Sequence, residues 1–239
     1  MIPKITHQTA RTSHLNWEEG RLTRRMRKLL PDWDHQLWDN SEQAAAVRRI
    51  FPHLSDRFDA IPFGVARSDI ARYALLYEYG GMYLDIDYKL LRAFDEDLRS
   101  ARVLLPIELY EQNSHDRYRE FVIGNSLLGS TPKQQFWYDL VEYIFAKHSP
   151  DLMTSEHEIV GKTGPVALTD FYLDAFAEKS EVTLAAKNLF QPDIWAFGMR
   201  NSADENTYGV HLHWGSWRGH DRLLAARILL RRKLNALAS

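Results

Sequence analysis

Residues 65–91 read Val-Ala-Arg-Ser-Asp-Ile-Ala-Arg-Tyr-Ala-Leu-Leu-Tyr-Glu-Tyr-Gly-Gly-Met-Tyr-Leu-Asp-Ile-Asp-Tyr-Lys-Leu-Leu. The pattern is a helix, a glycine stop and a strand that ends in two carboxylates. Ala66, Ile70, Tyr73, Ala74 and Tyr77 recur at helical spacing and form one apolar stripe. Gly80 and Gly81 end the helix, because they accept a left-handed backbone that a side chain penalises. Met82 to Ile86 is short, apolar and partly aromatic, which predicts a buried strand. Asp85 and Asp87 are two apart, so on a strand both face one side. Neighbouring carboxylates at the end of an apolar strand repel each other. A divalent cation is the simplest partner that stabilises such a pair.

The flanking chain extends an α/β pattern. Ile2 to Gln8 reads as the first strand, and Asn16-Trp17-Glu18-Glu19 as a capping box. The helix after it carries Glu18 and Glu19 in its first turn and Arg24, Arg25, Arg27 and Lys28 near its end, matching the helix dipole. Trp33 to Trp38 reads as a second strand, then Ser41 caps a helix through Ile50 that Pro52 closes. Strand–helix–strand–helix order predicts an α/β sandwich with parallel strands. Further on, Arg102–Ile107, Phe121–Leu128 and Val182–Gln191 read as strands, with Tyr208–Trp214 alternating. Helices are expected from Thr131-Pro132 and over Val166–Phe176. The stretch 221–237 reads as a basic helix with Leu223, Leu230, Leu234 and Leu237 on one side.

Composition narrows the class. At 239 residues and 45% hydrophobic, the chain forms one domain, residues 1–239, with a substantial core. A net charge of −2 argues against nucleic acid as a bulk partner. With no cysteine, disulfides and thiolate metal sites are excluded, which fits a reducing cytosol. No apolar run approaches the roughly 20 residues needed to span a bilayer. The opening Met-Ile-Pro-Lys-Ile does not read as a secretory signal. A cytoplasmic location is therefore expected.

Asp69 and Arg72 on the helix, Gly80-Gly81-Met82-Tyr83-Leu84 and Asp85-Ile86-Asp87 together resemble the DXD core of glycosyltransferase family 32, the sugar-binding-region family. That family includes fungal initiating mannosyltransferases and bacterial capsule enzymes of polysaccharide biosynthesis. It is related in fold to the catalytic domains of large glucosylating toxins. The resemblance implies a GT-A fold, Rossmann-like with a mixed central sheet. It also implies a retaining transfer of sugar from a UDP- or GDP-sugar, dependent on Mn2+ or Mg2+, to a saccharide, glycolipid or protein acceptor.

The resemblance assigns expectations residue by residue. Asp87 is the direct metal ligand, and Asp85 faces ribose and sugar hydroxyls or reaches the metal through water. Asp69 and Arg72, three apart on one helix side, hold sugar hydroxyls; taken alone they read as a surface ion pair. In His211-Leu212-His213-Trp214-Gly215-Ser216-Trp217, the two histidines alternate onto one face. The resemblance to the related toxins, by its spacing there, makes His213 and Ser216 metal ligands and Trp217 a donor to the β-phosphate; an aromatic core with bonded histidines is the plainer alternative. Asn125, Gly164, Tyr83 and His7 fall at substrate positions, although Asn125 beside a glycine also suits an ordinary turn. Ala10 stands where the family often has a base-stacking tryptophan, which leaves the nucleobase open.

Three alternatives stay open. The Asp pair also suits a metal-dependent phosphohydrolase, and the whole pattern suits a non-catalytic nucleotide-sugar binding module. The 221–237 segment reads either as peripheral membrane contact near a lipid-linked acceptor or as a packing helix; its arginines do not share one clean face, which favours packing.

Overall fold

The structure, a computed structural model, describes residues 1–110, 121–192 and 204–214. Its first half follows the alternation of the sequence: β1 (Ile5–Thr9), α1 (Trp17–Leu29), β2 (Asp34–Trp38), α2 (Asn40–Ile50), α3 (Gly64–Tyr79) and β3 (Gly81–Leu84). There follow β4 (Tyr88–Leu90), β5 (Val103–Tyr110), β6 (Phe121–Ile123), β7 (Leu127–Ser130), α4 (Gln135–Tyr143), α5 (Pro165–Ala175), β8 (Val182–Ala185) and β9 (Gly209–His211), with short helical turns between them.

The main sheet runs β2-β1-β3-β7-β5-β6, and β8 also pairs with β5. β1 is parallel to β2 and β3, whereas β7 is antiparallel to both β3 and β5, so the sheet is mixed. β4 and β9 form a separate antiparallel pair. Successive residues of β3 serve two cores. Tyr83 packs with Ile70, Tyr73, Trp137 and Leu140, while Met82 and Leu84 pack with Met26, Leu30, Tyr88 and Leu90. Burial on both faces explains why this strand is apolar throughout rather than alternating.

α3 is the central helix. Every residue from Asp69 to Leu76 is buried, so the predicted stripe is one part of an almost fully enclosed surface. Asp69 and Arg72 are thereby interior residues rather than a flanking surface pair. Gly80 (φ +64°, ψ −151°) and Gly81 (φ +89°) turn the chain from helix to strand. A Cβ on Gly81 would lie 2.6 Å from the Ile5 carbonyl oxygen, so β1 could not pair this closely with anything but glycine here.

Several local expectations are corrected. β3 ends at Leu84, and Ile86 and Asp87 lie in a turn closed by the Tyr88 amide donating to the Asp85 carbonyl at 2.9 Å. The cap of α2 is Asp39, not Ser41, because its carboxylate accepts from the Ser41 and Glu42 amides while Glu42 bonds back. Thr131-Pro132-Lys133 is a turn with Lys133 at φ 60°, so α4 starts only at Gln135. The stretch Phe121–Leu128 is two strands, broken at Gly124-Asn125-Ser126. Val182–Gln191 is a short strand followed by a helical turn at Lys187–Phe190. The expected helix over 221–237 lies outside the described residues. Among the described residues, no helix is long and apolar enough to cross a membrane.

Substituting Gly81→Ala forces a side chain onto a positive φ and into backbone, and is expected to cost at least about 1–3 kcal/mol. A urea titration checks this: the midpoint should fall with the slope unchanged.

Candidate functional site

The site begins where α3 meets the end of β3. Arg72, 5% exposed, lies between two carboxylates: its Nη2 is 2.9 Å from Asp69 Oδ1 and its Nη1 3.2 Å from Asp85 Oδ1. The same Nη1 donates to the Asn125 carbonyl at 2.5 Å, and the guanidinium lies 4.6 Å from the centroid of the Tyr83 ring. Asp69 also accepts from Thr163 Oγ1 at 2.8 Å and from Asn125 Nδ2 at 3.0 Å. Thr163 precedes Gly164, the residue that opens α5, so this bond ties the α5 entrance to α3. Tyr83 donates its hydroxyl proton to Asp85 Oδ1 at 2.8 Å and is itself bonded to Thr9 Oγ1 at 2.7 Å.

The second half is assembled by the β4–β9 pair, whose register sets Tyr88 against His211. His211 Nε2 then lies 3.1 Å from Asp87 Oδ1 and 3.7 Å from Asp85 Oδ2. The Trp214 amide donates to Asp87 Oδ2 at 2.9 Å. Among the described residues, the buried Nδ1 of His211 has no hydrogen-bond partner. Beside His211, with ring centroids 4.0 Å apart, stands His213, whose backbone is at φ 49°. Its Nε2 is 2.6 Å from Gln191 Nε2 and 3.7 Å from Glu108 Oε1. Glu108 occupies an irregularity in the β5–β6 pairing between Ile107 and Leu109, a bulge that turns its side chain toward the histidines.

Charge is unevenly distributed over these groups. Burial pushes Asp69 up to about 6, against the Arg72 charge and the Thr163 and Asn125 bonds. Asp85 is raised by burial and by Asp87, with Arg72 and His211 opposing. Asp87 is likewise disfavoured by burial, but His211 and the Trp214 amide outweigh this and hold it below the usual carboxylate range. Burial would lower His211, yet the bond to Asp87 and the charges of Asp87, Asp85 and Glu108 raise it. A histidine drawn toward protonation marks an excess of negative charge around it.

Asp85, Asp87 and His211 each offer a ligand atom, and these atoms lie within 4.8 Å of one another. Two carboxylates and an imidazole, in a negatively charged niche, fit a divalent cation such as Mn2+ or Mg2+. Glu108, His211 and His213 make a second group of the same compactness.

The structure brings Asp69, Arg72, Tyr83, Asp85, Asp87 and Asn125 into one cluster, with Gly164 at its edge. His213 reaches Glu108 and Gln191 rather than standing between the Asp pair, the position His211 takes. His7 is 1% exposed, its Nε2 donating to the Gly80 carbonyl at 2.9 Å and its Nδ1 accepting from Trp38 Nε1 at 3.1 Å. Ser216 and Trp217 lie outside the described residues. Sequence reasoning missed His211 and Thr163 as members of the cluster, and Glu108 altogether. The alternation of His211 with His213 was visible, but which one meets Asp87 depends on the register with β4.

The fold is α/β with a mixed central sheet, of the GT-A type. Two solved structures share the fold: the PaToxG glycosyltransferase (TM-score 0.54, 13% identity, 74% of this chain and 70% of that one) and the glycosyltransferase domain of the YGT toxin (TM-score 0.53, 10% identity, 77% and 80%). Residues 18–104 match the family described as "Glycosyltransferase sugar-binding region containing DXD motif". Inositol phosphoceramide mannosyltransferase 2 of Schizosaccharomyces pombe is 28% identical over 224 residues, 92% of this chain and 59% of that protein. A mannosyl phosphorylinositol ceramide synthase of Saccharomyces cerevisiae is 28% identical over 172 residues, 71% of this chain and 41% of that protein. The chain thus spans about half the length of these two relatives.

The burial of His7 predicts an acid response. Burial lowers its pKa to about 4 from 6.5. Between those values the unfolded chain binds the proton and the folded chain does not, so stability falls as pH drops through this window, by about 3 kcal/mol in total. Asp69, raised to about 6, acts in the opposite sense. The difference between wild type and His7→Gln in urea midpoint, followed from pH 7 to pH 4.5, isolates the histidine: the variant should lose less stability on acidification.

Proposed function

We propose that this chain transfers a hexose from a UDP- or GDP-sugar to an acceptor hydroxyl, with retention at the anomeric carbon. The reading rests on one observation: Asp85, Asp87 and His211 converge at the end of β3 while Arg72 stands behind Asp85. Asp87, His211 and Asp85 would hold a divalent cation. Such an ion supplies the charge neutralisation that a diphosphate leaving group requires. Arg72, fixed by Asp69, Asp85 and Asn125, orients Asp85 and adds positive charge beside the phosphates. Asp85, still partly exposed, and Asn125 then face the donor sugar. The resemblance assigns His213, Ser216 and Trp217 to the phosphate side.

Retention follows the family resemblance. Asp69 has three donors already committed to it, which suits a site without a dedicated carboxylate base. In a front-face reaction the leaving phosphate oxygen takes the acceptor proton. Glu108, beside His213, is the carboxylate that an inverting reaction would use instead. The names of the relatives favour mannose as the sugar and an inositol-phosphate-bearing lipid as the acceptor.

The test is turnover of UDP- and GDP-hexoses with Mn2+ and an inositol-phosphate glycolipid acceptor. Transfer is expected with one of these donors, and Asp87→Asn should lower kcat by about a hundredfold or more, equivalent to about 3 kcal/mol. Proton NMR of the product should show the donor's anomeric configuration; an inverted linkage rejects the front-face reaction. Release of phosphate from simple esters without sugar transfer would instead mark a phosphohydrolase, and donor binding without turnover a binding module.

A further inference from the structure

α1 shows the solvent a basic face with a tryptophan at its start. Trp17, Arg21, Arg24 and Lys28 follow one another at spacings of four, three and four, which lines them along one side of the helix. The opposite side, with Leu22, Thr23 and Met26, is buried. All four outward residues are exposed, and Trp17 is 71% exposed although tryptophan is highly buried on average. Arg21 lies with its guanidinium 5.6 Å from the Trp17 ring centroid. Arg27 flanks the strip and is also exposed. Among the described residues, none of Arg21, Arg24, Arg27 and Lys28 forms an ion pair. A chain of net charge −2 therefore concentrates unneutralised positive charge on one helix face.

A cleft of about 360 Å³ opens beside this strip, lined by Ser13, Asn16, Thr23, Arg24, Arg27 and Leu37 among others. Two guanidiniums with hydroxyl and amide groups at hand suit a phosphate group. A large exposed indole at the rim suits the level of lipid headgroups, where an amphipathic ring has one wet and one apolar side. The cleft is not remote from the candidate site. Thr23 donates to Gln8 Oε1 at 3.0 Å, and Gln8 Nε2 reaches the Asp85 carbonyl at 3.4 Å, so one layer of side chains separates the two.

We propose that the outward face of α1 docks on an anionic bilayer surface, with Trp17 at headgroup level, Arg21, Arg24 and Lys28 against the lipid charge, and a lipid phosphate in the cleft between Arg24 and Arg27. A neutral or zwitterionic surface offers these cations no net attraction. The binding does not require the catalytic reading; a lipid-linked acceptor would give it a purpose.

The experiment is vesicle flotation of the full chain with phosphatidylcholine alone and with phosphatidylcholine containing phosphatidylserine. Binding is expected only with the anionic lipid, and should be lost near 1 M salt, where the screening length is about 3 Å. The triple variant Arg21→Glu, Arg24→Glu, Lys28→Glu should bind at least about tenfold more weakly, and Trp17→Ser measurably more weakly, with circular dichroism and thermal midpoint unchanged. Equal binding to neutral vesicles overturns the proposal. So does unchanged affinity of the triple variant, which would place the contact elsewhere, as at residues 221–237. Saturable binding of inorganic phosphate without vesicle binding also overturns it and assigns the cleft to a free anion. Each outcome is independent of sugar transfer, so failure here and failure of the proposed activity are distinguishable.

Discussion

The arrangement depends on one buried guanidinium. Arg72 is held on both sides by carboxylates, Asp69 from its own helix and Asp85 from the end of the neighbouring strand. Burying three charges is unfavourable unless each is paired and hydrogen-bonded. Here Thr163, Asn125 and Tyr83 supply the further bonds, which offset part of that cost within one network. The consequence is geometric. α3, β3, the turn at Asn125 and the entrance of α5 are fixed to one another at the point where Asp85 leaves the sheet.

That network accounts for one side of Asp85 and leaves the other open. On the open side Asp87 and His211 follow, and Glu108 adds a further negative group near the histidines. The charge of Arg72 is shared between Asp69 and Asp85, and His211 faces Asp87, with Lys187 and His213 toward Glu108. Burial first, and the neighbouring carboxylates second, raise Asp85 and Glu108, whereas His211 is raised by those carboxylates against its burial. A niche that is locally short of positive charge, at the end of the strand and 14–22% accessible at its carboxylates, is suited to take up a cation together with an anionic ligand.

Much of this was readable from 27 residues. Helix spacing, Gly80-Gly81 and the Asp-X-Asp pair identify α3, β3 and the α/β class, because each signal reports a local constraint: an apolar stripe, a positive φ, a strand end. The capping box at Asn16 was legible for the same reason. Features set by tertiary pairing were not. Asp85 and Asp87 meet through a turn rather than through strand alternation. Which histidine joins them depends on Tyr88 pairing with His211, some 120 residues away in the chain. Glu108 is turned inward by a bulge that leaves no trace in its neighbours. Ser41 reads as a cap from its residue type, but the carboxylate of Asp39 satisfies two amides at once.

The central claim is that the negative niche formed by Asp85, Asp87 and His211 takes up a cation and that Arg72 alone does not neutralise it. Electron paramagnetic resonance of Mn2+ titrated into the protein, with and without a nucleoside diphosphate, addresses it directly. One saturable ion per chain is expected, tighter when the nucleotide is present and abolished in Asp87→Asn. Absence of saturable binding with any nucleotide, or binding unaltered by that substitution, would contradict the account.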